Sequence, residues 1–334
     1  VSARTSRQRT SRQDTPEKGT PARARRGLPG GGSADILAAA SLWGTTGTVR
    51  TFADGASSVS VGAVRIVLGG LVLLALASLT RRGGARGAEL RRLLAQRRSR
   101  PLILLGAAAI AVYQTAFFVA VARTGVAAGT VVTIGSAPAF TGLVGFVARR
   151  SAPSGRWALA TAGAVGGCVA LIGGGRDAGI EPAGVALALL SGLSYAVYAT
   201  VASALITRGE DDRAVAGALF AAAGVILLPV LLAWPAGWLL TWPGALTALY
   251  LGVVTTGGGY VLFTRGLRTA PATTATTLTL AEPAVAAVLG TAVLGERLGA
   301  VALGGLALLA ASLLALVLPA GVPRKRVRGR NKLV

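Results

Sequence analysis

Histidine is absent from the 334-residue chain, and cysteine occurs once, at position 168. Without histidine the commonest general base and metal ligand is missing, and a lone thiol excludes an internal disulfide or a thiolate metal cluster. Acids are scarce as well: 12 Asp and Glu stand against 34 Lys and Arg, and charged residues make up only 14% of the chain. A water-soluble surface needs more charge than that, and 53% of the residues are hydrophobic. That balance points to a membrane protein instead of two soluble domains. No Walker-type phosphate loop is present. The expectation is therefore a protein without metal or organic cofactor, and not an enzyme.

What the chain does have is a series of apolar runs. They lie near residues 35–52, 57–79, 101–122, 127–148 and 155–173, then 182–206, 213–233, 244–265, 270–294 and 299–319. Stretches such as the one from Val61 to Leu79 stay apolar for the length a helix needs to cross a bilayer, about 20 residues. Barrel strands would alternate over about ten. The fold class expected is an all-α integral membrane protein of ten transmembrane helices. Residues 1–33 combine Arg, Ser, Thr, Pro and Gly without the apolar core of a signal peptide, and read as a disordered basic tail. A second basic tail covers 322–334.

The bases set the orientation, because Lys and Arg near a span resist translocation. With the first tail in the cytoplasm, 29 of the 34 fall in inner segments, four (Arg50, Arg123, Arg176, Arg297) lie outside, and Arg65 alone sits within a span. Trp234, Trp238 and Trp242 then fall at the outer interface, where indole rings are favoured. Both termini are expected in the cytoplasm of a bacterial-type cell, with the protein in its inner membrane. The arginine-rich loop Thr80–Arg100 is patterned partly like an amphipathic helix resting on the anionic inner leaflet. Nucleic acid is not an expected partner, since the bases adjoin spans and lack an interleaved aromatic platform.

Sliding the chain by 145 residues lays the segment from Arg123 over the segment from Arg268, with Pro138 over Pro283 and no gap. Two five-span units follow, 35–173 and 182–319. An odd number of spans forces the second unit upside down relative to the first, the inverted repeat of many carriers.

The early "LAAASLWGTTG", the second span "VGAVRIVLGGLVLL", and the late "TLAEPAVAAVLGTAVLGERL" resemble the EamA type of the drug/metabolite transporter superfamily. The resemblance runs from about residue 35 to 319. Its most specific part is Glu282-Pro283 followed by Gly295-Glu296-Arg297-Leu298; Trp43-Gly44 and Arg65 add to it. The first half departs, with "GFVARRSAP" where the family often carries a Gly-Glu-Arg-Leu-like end. The resemblance implies a carrier of small metabolites, commonly an exporter, with helices 5 and 10 peripheral and the others around a central cavity.

Glu282 falls near mid-span, where a charge costs about 2.5–3.5 kcal/mol on insertion scales. It either carries a proton or a substrate ammonium, or serves structurally by bonding backbone freed beside Pro283. Pro138 and Pro283 remove a donor each and are expected to kink their helices, leaving the carbonyls of Ile134 and Thr279 free. Arg65 reads as a recognition charge for anionic solutes or as an ion pair or interface anchor. Polar and aromatic side chains on shared faces form the candidate cavity: Trp43 and Thr45; Tyr113, Gln114 and Phe117; Ser194, Tyr195 and Tyr198; Tyr260; and Thr279. The bland reading of the hydroxyls and of Gly257–Gly259 is close helix packing.

The function expected is a secondary or facilitative transporter of amino acids or drug-like amphiphiles, exporting by alternating access. A non-transporting scaffold or sensor, and an intramembrane lipid enzyme, are the alternatives. Small residues in spans 5 and 10 leave a homodimer open.

Overall fold

The computed structural model describes residues 31–80, 85–124, 126–149, 154–173, 181–294 and 299–318. Nearly all of both basic tails, and the Gly295–Leu298 motif, lie outside the described residues. Within them the chain is helical, without strands. In order come α1 (Gly31–Gly44), α2 (Thr46–Arg50), α3 (Ser58–Leu79), α4 (Ala88–Ala95), α5 (Arg100–Thr124), α6 (Val126–Arg149) and α7 (Gly155–Gly173). Then follow α8 (Pro182–Thr207), α9 (Asp212–Ala233), a 3₁₀ turn (Gly237–Leu240), α10 (Trp242–Leu249), a π-helical segment (Tyr250–Gly258), α11 (Gly259–Gly266), α12 (Ala272–Leu278), α13 (Ala281–Leu294) and α14 (Ala300–Val317).

Among the described residues seven stretches are long and apolar enough to cross a membrane: α3, α5, α8, α9, the run Trp242–Gly266, the run Ala272–Val293, and α14. A shorter apolar stretch, Val132–Val147, lies in α6. Large apolar side chains cover the outside: Leu159 and Leu232 are 78% exposed and Leu240 is 92% exposed. In water such a surface would aggregate; in lipid it is the ordinary exterior. The chain is a multi-pass membrane protein.

The helix starts are written locally. Ser57 accepts a hydrogen bond from the Ser60 amide, Asp211 from those of Arg213 and Ala214, and Thr241 from that of Gly244, each satisfying an orphan donor. Pro182 opens α8, where its missing N–H costs nothing.

Packing joins α3 to α9, α5 to α8, and α7 to α14. The α7–α14 pair meets through small residues: a Cβ on Gly167 would sit 2.7 Å from the Gly305 carbonyl and the Leu309 amide. Arg156 at the start of α7 donates to the carbonyls of Ala315 and Leu318, capping the end of α14. This pair sits to one side, and α7 touches the rest of the bundle partly through Trp157, which donates to the Thr273 carbonyl.

One end of the bundle carries the arginines. There Asp35 pairs with Arg265 at 3.1 Å, Arg268 with Asp212 at 3.3 Å, and Arg213 donates to Thr80. At the opposite end Trp238 donates to Ser60 and Arg123 pairs with Glu181 at 2.8 Å. The loop helix α4 is amphipathic, but its buried Leu90 and Leu93 pack on α9 and the bundle, leaving Arg91 and Arg92 outward.

Candidate functional site

Midway along the bundle a cavity is lined by Trp43, Arg65, Tyr113, Thr133, Ile134, Tyr195, Tyr260, Thr279 and Glu282. The space left for solvent is about 30 Å3, room for a few waters at most. Its walls come from both halves of the chain.

The π-helical segment organises one wall. A π turn leaves a carbonyl open to a second donor, and the Thr255 carbonyl takes the Trp43 indole N–H at 2.9 Å. The Trp43 ring then packs 4.8 Å from Tyr260 and 5.6 Å from Phe263, centroid to centroid. A Cβ on Gly259 would come within 2.5 Å of the Trp43 Nε1, so only glycine leaves the indole its slot. The neighbouring Thr256 hydroxyl donates to the Leu251 carbonyl at 2.8 Å and accepts from the Arg65 Nε at 3.4 Å. Gly69 brings α3 close enough for this contact, since a Cβ there would lie 2.2 Å from the Thr256 methyl.

The facing wall is a broken helix. After α12 the chain turns through Thr279 and Leu280 before α13 begins at Ala281, placing Glu282 in the first turn of α13 and Pro283 beside it. Proline is tolerated at the start of a helix, and the amino-terminal dipole favours a carboxylate there. The Thr279 carbonyl accepts from the Glu282 amide at 3.0 Å, so the turn itself takes up the acceptor that the sequence suggested would be free. Around Pro138, by contrast, α6 runs uninterrupted. Arg65 and Glu282 line the same cavity, and among the described residues no ion pair joins them.

Aromatic rings fill the layer between. Tyr113 and Tyr195 lie 5.4 Å apart, Tyr195 and Tyr198 6.0 Å, and Phe220 and Tyr260 4.1 Å. The Tyr198 hydroxyl is buried without a hydrogen-bond partner among the described residues, an uncommon cost in a native interior.

Of the residues singled out from sequence, Trp43, Arg65, Tyr113, Tyr195, Tyr260, Thr279 and Glu282 meet at this cavity. Others sit nearby in packing roles. Thr45 bonds the Tyr250 hydroxyl at 2.9 Å, Gln114 is buried and donates to the Gly62 carbonyl at 3.4 Å, and Phe117 stacks on Tyr113. Ser194 is buried, and Tyr198 belongs to the ring cluster behind the wall. Ser191, on the same stripe, bonds the Tyr113 carbonyl and so ties α8 to α5. Asp35, distant from Arg65 in depth, pairs with Arg265 instead.

Sequence reasoning passed over Thr133, Thr255 and Thr256, and named Ile134 only for its backbone carbonyl. For Ile134 a signal existed: the 145-residue offset lays it over Thr279, and both line the cavity. The two threonines of the π segment had none, because nothing in "VVTTGGG" announces a π turn.

A membrane-embedded helical bundle whose polar groups converge on an internal cavity has the build of a transporter. The profile of the EamA-like transporter family matches residues 32–173 and again 182–318; the chain belongs to this family, of the drug/metabolite transporter type. It is similar to a Bacillus subtilis (strain 168) protein called Uncharacterized transporter YwfM, 37% identical over 256 residues that make up 76% of this chain and 83% of that one. A solved crystal structure of a protein superposes with a TM-score of 0.70 at 18% identity, over 85% of this chain and 95% of its own, a likeness of fold.

Proposed function

We propose that this transporter is a secondary carrier of small zwitterionic solutes, amino acids or compounds of that build, exported by alternating access. The observation that carries the reading is the separated pair of charges in the central cavity. Arg65 presents a guanidinium to a carboxylate, Glu282 presents a carboxyl to an ammonium, and Trp43, Tyr113, Tyr195 and Tyr260 offer rings to the apolar remainder. Two opposite charges left apart inside a membrane are costly unless something bridges them; a zwitterion does so. The space between them is no larger than a few waters in this conformation, so a bound solute requires the walls to separate.

The packing supports two inverted repeats of five spans. Exchanging the first half for the second turns the contact of α5 with α8 into that of α11 with α1, and the contact of α6 with α8 into that of α13 with α1. The pairs α3–α9 and α7–α14 map onto themselves. Counting α1–α2, the whole of α6 and α7 with the seven long stretches gives ten spans. We assign the arginine-rich end to the cytoplasm of a bacterial inner membrane, by the charge rule, with the exposed bases of α4 near anionic lipid.

The test is counterflow. Vesicles containing the protein are loaded with pooled unlabelled amino acids and metabolites, traces of each labelled compound are added outside, and no ion gradient is imposed. Accumulation of labelled zwitterions above empty vesicles supports the proposal; accumulation confined to compounds lacking one of the two charges refutes it.

A further inference from the structure

A larger cavity lies at the arginine-rich end, between the ends of α6 and α8 and the link from α11 to α12, with a volume of about 380 Å3. That falls within the range of small-molecule sites, about 300–1,000 Å3. The central cavity, at about 30 Å3, has room for no more than a few waters in the same conformation. A solute arriving from this end therefore finds room here first.

The lining favours one kind of group. Thr200, Ser203 and Thr207 recur at three- and four-residue spacing and share one face of α8. Thr207 donates to the Ser203 carbonyl and Thr141 to the Ala137 carbonyl, both at 2.8 Å, so these two hydroxyls have spent their hydrogens on their own helices. The Thr200 Oγ1 is buried and has no partner among the described residues. The hydroxyls of Ser203 and Thr273 likewise make no hydrogen bond among the described residues, although Ser203 is only 5% exposed. Arg268 completes the wall. One of its N–H groups meets the buried Asp212 at 3.3 Å, and among the described residues its other donors make no ion pair. The hydroxyls of Ser203 and Thr273 and the remaining N–H groups of Arg268 are therefore available as donors to a ligand. Glu210 and Asp211 border Arg268 in a separate recess and hold the local net charge down, which favours a zwitterion over a dianion.

We propose that this vestibule is a second binding site, which takes the carboxylate of a small zwitterionic solute through Arg268 and the free hydroxyls before the solute reaches the central cavity. The proposal rests on the carrier reading for its ligand, and on the vestibule's own geometry for its place.

The experiment is protection of an introduced thiol. Ser203→Cys is made in a Cys168→Ser background, with Thr200→Cys as the second reporter should the first fail to give monodisperse protein. In vesicles, labelling by an anionic methanethiosulfonate is timed with millimolar pooled L-amino acids, with the corresponding amino acid amides, and with neither. The expected result is several-fold slowing by the acids and little by the amides. The slowing should persist when Arg65→Gln disables the central cavity. A thiol that does not label, equal rates in all three conditions, or slowing that vanishes with Arg65→Gln overturns the vestibule site. Counterflow measured on the same vesicles reports carriage separately, so a protein that exchanges solute without protection loses this site alone.

Discussion

Two adjacent glycines provide a sharp test of how the cavity wall is built. Gly258 and Gly259 differ in surroundings far more than in sequence context. A Cβ on Gly258 would meet its nearest neighbour, Leu42 Cδ1, at 3.8 Å, an ordinary contact; on Gly259 it would meet Trp43 Nε1 at 2.5 Å, with further indole atoms at 3.2 and 3.3 Å. Alanine gains about 0.8–1.0 kcal/mol over glycine in a helix interior, so Gly258→Ala should be neutral or slightly stabilising. Gly259→Ala receives the same gain but must displace a ring that is 5% exposed and hydrogen-bonded to Thr255. Overpacking of this kind costs about 1–3 kcal/mol, and loss of the bond adds about 0.5–1.5 kcal/mol. The two variants should differ by roughly 1.5–4.5 kcal/mol on those two terms together. Thermal unfolding in detergent, followed by tryptophan fluorescence, measures the stability difference, and initial counterflow rates measure the effect on the cavity. Gly259→Ala should unfold earlier and exchange solute markedly more slowly, with Gly258→Ala close to the parent. Equal unfolding midpoints and equal rates would show that Trp43 is not wedged as described.

Three further outcomes are expected. Glu282→Gln should fold, given that its carboxyl makes no ion pair with Arg65, and should lose the pH dependence of transport; a variant with transport and pH profile unchanged would assign Glu282 to structure alone. Gly167→Leu should lower the unfolding midpoint by forcing α7 from α14, because the contacts at 2.7 Å are with backbone that cannot rotate away; an unchanged midpoint contradicts the packed pair. Cys168, 1% exposed and directed at the Leu280 carbonyl, should resist thiol reagents until the protein unfolds, and rapid labelling of the native protein would show that α7 does not seal against the break after α12.

The membrane class and the long apolar helices were legible in the sequence because they depend on summed hydrophobicity, which survives any detail of packing. The charged members of the cavity were legible for a related reason: Arg65 and Glu282 stand out in apolar runs, and their expense draws attention. Which hydroxyl faces a cavity was harder to read. Gln114 and Ser191 are as polar as Thr279, yet one braces α3 and the other α5, since a membrane interior rewards any hydrogen bond between helices. The two prolines marked the same aligned position, but only one lies at a break: α13 restarts beside Pro283, whereas α6 carries Pro138 without interruption. The sequence cannot announce that difference, because helix continuity depends on neighbouring packing. The π segment was illegible for the same reason, its geometry being fixed by Trp43, Gly69 and Arg65 from other helices.

The central claim is that one solute bridges Arg65 and Glu282. Its most direct test takes an amino acid that exchanges in counterflow and compares three competitors: the acid itself, its amide, and its analogue lacking the amino group. In the parent protein the acid should compete best. Arg65→Gln should weaken the acid toward the level of the amide, by about 10- to 100-fold for a charge-assisted bond of about 1.5–3 kcal/mol, while Glu282→Gln should weaken it toward the level of the analogue without the amine. If both substitutions lower all three competitors by the same factor, neither charge reads the solute, and the bridging account is wrong.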